Sequence, residues 1–236
     1  MTKWRATVLL ILPVFVISLC SFAPAQLSTV QAQLKVKHLG NSSKTDSSNV
    51  VVWLMPLDGN VPVQPAKPGQ YKITQRNKEF HPHVLAVPLG TPVEFPNDDP
   101  FFHNVFSLYR GKKFDLGLYE AGSSRTVVFD KRGVSFIFCN IHPDMNSYVL
   151  ALGTPYFQTT GADGRVQLQN VANGRYRLEV WYERAEGDEL AKLSRVVDVK
   201  GPNVNLNTIE VRDSPNFQPK HLNKHGRPYD PEAPPY

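Results

Sequence analysis

Residues 134–152 read VSFIFCNIHPDMNSYVLAL. Apolar runs rich in Val, Phe and Leu lie on both sides of a short polar loop, which is typical of two β-strands joined by a tight connection. The loop carries Cys139, His142 and Met145, each three residues from the next. Thiolate, imidazole and thioether are the soft and borderline donors that hold copper in electron-transfer sites. The stretch therefore predicts a metal site at the end of a β-sheet.

A second imidazole is available from His103, which begins another predicted strand. If the two strands are neighbours, one thiolate and two imidazoles surround the metal, with Met145 as a long axial ligand, as in blue-copper sites. Zinc and iron are alternative ions, and Asp144 is an alternative fourth ligand in a tetrahedral zinc site. His81 and His83 precede a strand, and we predict that they are surface residues rather than ligands.

The rest of the chain has the same strand-like character, since short runs rich in Val, Ile, Phe and Tyr alternate with turn residues. The predicted strands are Val50–Leu54, Val84–Val87, Thr91–Phe95, Val105–Leu108, Arg125–Phe129, Val134–Phe138, Ser147–Leu152, Arg165–Leu168, Tyr176–Tyr182, Ser194–Val199 and Asn207–Val211. Asp163-Gly164 and Asn173-Gly174 suit tight hairpin turns. The one predicted helix covers Glu186–Leu193. We predict an all-β protein of the sandwich type.

Residues 1–25 are predicted to be a secretory signal peptide, because two basic residues precede an apolar run that ends in Ala23-Pro24-Ala25. A second candidate cut follows Ala32, and an uncleaved membrane anchor is the alternative. The signal predicts export to the periplasm or the extracellular space.

Removal of residues 1–25 leaves 24 basic and 21 acidic residues, a charge of +3, and Cys139 as the only cysteine. No internal disulfide is then available, and a lone exported thiol is expected to be buried, paired between chains or committed to a metal. The residues next to Cys139 favour the metal. The positive charge is spread along the chain without a dense basic run, so nucleic-acid binding is not predicted.

Several segments together resemble the cupredoxins, the superfamily of plastocyanin and amicyanin: Val84–Gly90, Val93–Asp98, His103–Val105 and Cys139–Met145. The spacing within the Cys139–Met145 loop is most similar to that of amicyanin. Most of residues 33–184 also resembles cupredoxin-domain proteins labelled methylamine utilisation proteins. The resemblance implies a Greek-key sandwich with copper bound by His103, Cys139, His142 and Met145. It also implies that Asn104 braces the Cys139 loop, as a second layer of contacts does around many metal sites.

Residues 163–178 resemble the carboxypeptidase regulatory-like fold, a small prealbumin-type or immunoglobulin-like β-sandwich. We predict that residues 33–60 and 154–212 form this sandwich discontinuously and that residues 61–153, the cupredoxin domain, are inserted into it. The regulatory-like sandwich carries no catalytic set of residues, which indicates a structural or adhesive role. Residues 213–236 are predicted to be a disordered Pro-rich tail.

The leading hypothesis is an exported type 1 copper protein, not an enzyme, that carries one electron between redox partners. The expected redox partner is a cytochrome, or a copper or quinoprotein enzyme. It would dock on an apolar collar around His142 formed by Pro100, Phe101, Phe102 and Pro143. Alternatively, the two phenylalanines only pack the end of the sandwich. One alternative function is copper binding or delivery without electron transfer, aided by His221 and His225 in the tail, and another is a structural metal-binding β module. An enzyme with Cys139 as nucleophile and His142 as base is a third alternative, which leaves Met145 without a role. A fourth is a metal-free interaction protein in which Cys139 is merely buried.

Overall fold

The computed structural model describes residues 26–39, 45–59, 61–108, 110–217 and 222–229. Within these ranges the chain consists of β-strands and loops with a single short helix, which confirms the predicted all-β class. The predicted signal peptide, residues 1–25, lies outside the described residues. Across the described part of the chain, no helix is both long and apolar enough to cross a membrane.

In chain order, the elements are β1 (Leu27–Lys37), β2 (Val51–Pro56), β3 (Tyr71–Lys72), β4 (Thr74–Arg76), β5 (Glu79–His81), β6 (Val84–Pro88), β7 (Thr91–Pro96), β8 (His103–Ser107), β9 (Phe114–Tyr119), β10 (Ser124–Phe129), β11 (Gly133–Phe138), β12 (Asn146–Leu152), β13 (Phe157–Thr159), β14 (Arg165–Ala172), β15 (Gly174–Trp181), α1 (Gly187–Leu193), β16 (Arg195–Val199) and β17 (Asn203–Arg212). Each predicted strand has a counterpart, and α1 confirms the predicted helix. Six strands have no counterpart in the predicted list: β1, β3, β4, β5, β9 and β13. Four of them, β3, β4, β5 and β13, have only two or three residues, which is too short to show alternation.

The first and last parts of the chain form one sandwich. Its two sheets have the strand orders β14-β1-β17 and β13-β2-β15-β16. Along β1, buried side chains alternate with more exposed ones, because only one face of its sheet packs against the core. The core contains Val30, Leu34, Val52, Leu54, Leu178 and Val211, among others. Strands that precede residue 61 therefore pair with strands that follow residue 153.

The start of β1 at Leu27 is earlier than the predicted domain start at residue 33. Val30 is buried in the core, and its backbone pairs with Leu168 and Val204 on the two sides. A cut after Ala32, the second candidate cleavage site, falls inside this strand.

The Asp163-Gly164 turn, which precedes β14, packs closely against β1 within this sandwich. The Gly164 carbonyl accepts a hydrogen bond from the Leu34 amide at 2.8 Å. Gly164 has a φ of +67°, and a Cβ there would collide with the Leu34 carbonyl oxygen. Glycine is therefore required at this turn for both its conformation and its close approach.

The middle of the chain forms a second sandwich. Its sheets have the orders β10-β7-β3 and β6-β12-β11-β8-β9, and β4 and β5 form a separate hairpin. The non-sequential order, with β6 parallel to β12 and the other pairs of that sheet antiparallel, is consistent with the predicted Greek-key sandwich. Its core contains Val93, Phe95, Val105, Phe129, Ile137 and Val149, among others.

β12 is buried on both faces and joins the two sandwiches. Val149 and Ala151 face the core of the second sandwich. Leu150 and its neighbours on the opposite face pack against the outer side of the β13-β2-β15-β16 sheet, including Val51 and Trp181. The Tyr148 and Trp181 rings lie 5.1 Å apart between centroids. This apolar contact packs the second sandwich against the first.

Candidate metal centre

Two strand ends and one loop position His103, Cys139 and His142. Cys139 directly follows β11, His103 is the first residue of β8, and β8 pairs antiparallel with β11 through Phe138 and Phe106. The carboxyl end of β11 therefore meets the amino end of β8, which confirms the expectation that these strands are neighbours. His142 enters the same space from the loop between β11 and β12.

The donor atoms of His103, Cys139 and His142 form a small triangle. The Cys139 Sγ lies 3.7 Å from His103 Nδ1 and 3.6 Å from His142 Nδ1, and the two Nδ1 atoms are 3.2 Å apart. Bonds of about 2.1 Å to nitrogen and about 2.3 Å to sulfur place donors of a trigonal or tetrahedral site about 3.4–3.8 Å apart. The triangle therefore has nearly the size that one metal ion requires.

Asp99 orients the first imidazole. Its Oδ2 lies 2.8 Å from His103 Nε2, and both side chains are almost completely buried. A proton held on Nε2 toward the carboxylate leaves the Nδ1 lone pair directed at the triangle. The carboxylate is fixed in turn by the backbone amides of Asn77 and Lys78, at 2.6 and 2.9 Å, in the β4–β5 turn.

The surroundings of both imidazoles favour their neutral forms. Burial lowers the pKa of His103, although Asp99 opposes this effect. Burial, together with the positive charges of a protonated His103 and of Lys78, lowers the pKa of His142 to about 4. Neutral imidazoles present lone pairs to a metal without first losing a proton.

Cys139 is fully buried, and its burial raises the pKa of the thiol. The backbone amides of Asn104, Ile141 and His142 face the sulfur and favour the thiolate. A buried thiol surrounded by amide donors and two neutral imidazoles is suited to a bound cation, which supplies the missing positive charge.

Met145 closes the ligand loop. The Cys139 amide donates to the Met145 carbonyl at 3.1 Å, and the Met145 amide donates to the His142 carbonyl at 3.1 Å. The Met145 side chain is buried in the same core cluster as Cys139. Asp144, the alternative fourth ligand, is exposed, and the metal-ligating cluster found among the described residues contains only His103, Cys139 and His142.

Asn104 contacts two segments around the site. Its side-chain amide donates to Asp115 Oδ1 at 2.7 Å in β9, and its backbone amide faces Cys139. The contact between Asn104 and the Cys139 loop is therefore made by the backbone. Asn140 uses its side-chain oxygen to accept the Lys224 amide at 2.9 Å.

The other candidate residues lie outside the triangle. His81 pairs with Glu79 and His83 with Glu183, at 3.3 and 2.8 Å. His225 is exposed, and His221 lies outside the described residues. Phe101 packs against both imidazoles, with centroid distances of 5.2 Å to His103 and 5.6 Å to His142.

The remaining members of the predicted collar are exposed. Phe102 has 51% of its surface accessible, and Pro100 and Pro143 are also exposed. Phe101 therefore packs within the site, while the other three form an apolar surface beside His142.

Part of the C-terminal tail contacts the ligand loop. The Tyr229 hydroxyl donates to the Cys139 carbonyl at 2.7 Å, and the Lys224 amide donates to the Asn140 side chain at 2.9 Å. The composition of residues 213–236 predicts no such order. Sequence reasoning also missed Asp99, since nothing in Asn97-Asp98-Asp99 indicates which carboxylate is buried.

Neither a protein-family model nor a curated protein matches the chain. Among solved structures, it is similar to a purple cupredoxin from Nitrosopumilus maritimus, at 28% identity over 35% of this chain and 99% of that one, with a TM-score of 0.33. It is also similar to the copper-containing nitrite reductase from Thermus scotoductus SA-01, at 25% identity over 40% of this chain and 28% of that one, with a TM-score of 0.34.

A reduced Cu(I) form of an amicyanin mutant is similar at 16% identity over 43% of this chain and 98% of that one, with a TM-score of 0.34. All three similarities cover less than half of this chain. The chemistry of the site is therefore inferred from its own residues.

Proposed function

We propose that this protein is a type 1 copper protein that carries single electrons between partner proteins. The observation that supports the proposal is the triangle of His103 Nδ1, Cys139 Sγ and His142 Nδ1, with separations of 3.2–3.7 Å. Two imidazoles and a thiolate in a trigonal plane, with a weak axial thioether, are the donor set of blue-copper centres. Met145, buried in the same loop, is the proposed axial ligand.

The residues present fit copper better than zinc. A structural zinc site is almost always tetrahedral with four strong ligands, and the described cluster offers three, because Asp144 lies outside it. The fourth nearby donor is the thioether of Met145, a soft and weak ligand that suits copper. Bound copper would supply a one-electron couple between its +2 and +1 states.

The protein fixes the positions of the metal-binding atoms and excludes water from them. Asp99 and the β4–β5 turn fix His103, and the hydrogen bonds between Cys139 and Met145 close the loop. Cys139 and His103 are fully buried, so water has no access to them. A site that cannot rearrange suits both oxidation states, which keeps the reorganisation that accompanies electron transfer small.

His142 is the proposed route for the electron, since it is the ligand with partial solvent exposure. Phe102, Pro100 and Pro143 give the adjacent surface an apolar character that suits a small, transient interface with a redox protein. We propose that the protein acts outside the cytoplasm and that it is not itself an enzyme. The predicted signal peptide at residues 1–25, and the single cysteine that its removal would leave, support export.

The test is a visible absorption spectrum of the chain lacking residues 1–25 after loading with Cu(II). We expect an intense thiolate-to-copper band in the wild type, its loss in Cys139→Ser, and its loss or a large change in His142→Gln. His81→Gln is the matched control, because His81 is exposed and paired with Glu79. Its spectrum should equal that of the wild type.

Other outcomes have distinct meanings. Copper bound without the band would contradict a type 1 site and favour copper binding or delivery without electron transfer. Retention of zinc in preference to copper, with no band, would favour the structural metal-binding module.

A further inference from the structure

Residues 222–229 lie against the outside of the metal-ligand loop, and we name them the C-terminal clamp. The clamp has a defined turn of its own. The Asn223 amide donates to the Arg227 carbonyl at 2.8 Å, and the Gly226 amide donates to the Asn223 carbonyl at 2.9 Å. The Asn223 side chain accepts the amides of His225 and Arg227 at 2.9 and 3.1 Å. The clamp is therefore a folded element despite its polar composition.

One set of clamp contacts reaches the peptide unit that leads out of Cys139. The Tyr229 hydroxyl donates to the Cys139 carbonyl at 2.7 Å. The Lys224 amide donates to the side chain of Asn140, the next residue, at 2.9 Å. The amides of Ile141 and His142, which face the Cys139 sulfur, follow directly along the chain. The orientation of this peptide unit therefore controls where those amides point.

A second set of contacts reaches the strand that carries His103. The Lys224 ammonium group lies 3.0 Å from Asp115 Oδ2. The other oxygen of Asp115 accepts the Asn104 side chain at 2.7 Å and the Gly117 amide at 2.9 Å. Asn104 directly follows His103, so the clamp contacts the Cys139 loop directly and is linked to the His103 segment through Asp115.

We propose that Tyr229 and Lys224 are positioning residues of the metal centre. They hold the Cys139–Asn140 peptide and the Asp115–Asn104 pair in place from outside the site, and in this way they control the hydrogen bonding of the thiolate and the retention of the metal. The proposal rests on the proposed function, because it assumes that Cys139 is a copper ligand. Groups that orient metal ligands typically change metal affinity 10–100-fold when they are removed.

The clamp can be released without unfolding the sandwich. The hydrogen bonds described above between the clamp and the loop lie near the surface, since Lys224 and Tyr229 are only half-buried. Tyr229→Phe removes one hydroxyl and leaves the ring in place. Tyr176→Phe is the matched control, because the Tyr176 hydroxyl also donates to a backbone carbonyl, that of Ala172 at 2.8 Å, but in the first sandwich.

The first arm of the experiment needs no metal. Trypsin is added to the folded chain without copper, and release of residues 225–236 by cleavage after Lys224 is followed by mass spectrometry. Cleavage of a docked segment tracks the fraction of molecules in which it is open. Loss of one hydrogen bond should raise that fraction, and the cleavage rate, about three- to tenfold in Tyr229→Phe. Tyr176→Phe should be cleaved at the wild-type rate.

The second arm uses the Cu(II)-loaded protein. We expect Tyr229→Phe and Lys224→Gln to shift the thiolate-to-copper band and to release copper to a chelator about three- to tenfold faster than the wild type. Tyr176→Phe should leave both quantities unchanged. A general loss of stability would not move the position of the band, so this readout separates positioning from folding.

The outcomes distinguish the two proposals. A normal wild-type band with an unchanged band and release rate in both clamp variants overturns the positioning role and leaves the type 1 site intact. Equal trypsin cleavage of the wild type and Tyr229→Phe overturns the docking itself. A wild type with no band defeats the proposed function, and the role of the clamp toward copper with it.

Discussion

Asp99 shows how much of the site depends on residues that are not ligands. Its carboxylate accepts hydrogen bonds from two backbone amides of the β4–β5 turn and from the imidazole of His103. Burial opposes its ionisation, but these donors together lower the pKa of Asp99. A carboxylate held ionised in this way selects the His103 tautomer that can bind a metal.

Replacement of this carboxylate should weaken metal binding more than folding. Asp99→Asn keeps an acceptor for one turn amide but loses the charge that attracts the His103 proton. We expect the affinity for Cu(II) to fall 10–100-fold, as for other groups that orient metal ligands. A competition titration against a chelator measures it. Asp130→Asn, which removes an exposed partner of Lys112, is the control and should bind copper normally; equal losses in both variants would contradict the role of Asp99.

Met145 is the residue for which a ligand role is most directly testable. Met145→Leu preserves volume in the core and should cost less than about 1.5 kcal/mol of unfolding free energy. Without the thioether, Cu(II) loses a weak donor that it uses more than Cu(I) does, so the reduction potential should rise while the visible band persists. Electrochemistry on the loaded protein measures the change. An unchanged potential would remove Met145 from the ligand set.

At the scale of single elements, β12 combines two roles. Its first residues follow the ligand loop, and its body is buried between the two sandwiches. A strand buried on both faces reads as a continuous apolar run rather than as an alternation. The sequence Tyr148 to Leu152 has this character, which explains why its strand was predictable while its second packing surface was not.

The packing of β12 predicts a large effect of one truncation. Leu150 is 1% exposed within the contact between the sandwiches. Leu150→Ala should lower the free energy of unfolding by about 2–5 kcal/mol, because it leaves a cavity that the two sheets cannot close. Leu39→Ala is the matched control, since Leu39 is 56% exposed. Chemical denaturation measures both, and a small effect for Leu150→Ala would mean that the sandwiches are not tightly packed there.

The whole molecule is also connected by an ion pair between its two sandwiches. His83 precedes β6, Glu183 follows β15, and their charged atoms lie 2.8 Å apart. Burial alone would lower the pKa of His83, but the hydrogen bond and charge of Glu183 outweigh it and raise that pKa. The folded state therefore favours protonated His83. The resulting stability is fully present below the ordinary histidine pKa and is lost as the pH rises through the raised value.

Glu183→Gln should therefore destabilise the protein more at pH 6 than at pH 9. At pH 6 we expect Glu183→Gln to lower the free energy of unfolding by about 1 kcal/mol. The effect is modest because partial exposure weakens this charge-assisted hydrogen bond. Denaturation curves at the two pH values measure the change. Glu210→Gln, which removes the exposed partner of Lys37, is the control and should show little pH dependence. Equal destabilisation by Glu183→Gln at both pH values would contradict the linkage.

The sequence by itself was sufficient for the all-β class, for most strands and for the grouping of Cys139, His142 and Met145. These features are local: alternation of apolar residues determines a strand, and ligands in one short loop cannot be far apart. His103 was predictable as a partner only on the assumption that β8 and β11 pair.

Only the tertiary structure decided which groups surround these residues. Asp99 is selected over Asp98 because the β4–β5 turn presents two amides to it. Asn104 turns to Asp115, and Tyr229 reaches the Cys139 carbonyl across 90 residues of sequence. Such contacts depend on where distant strands and the tail meet, and a hydrogen bond between remote residues leaves no periodicity in the chain that could reveal it.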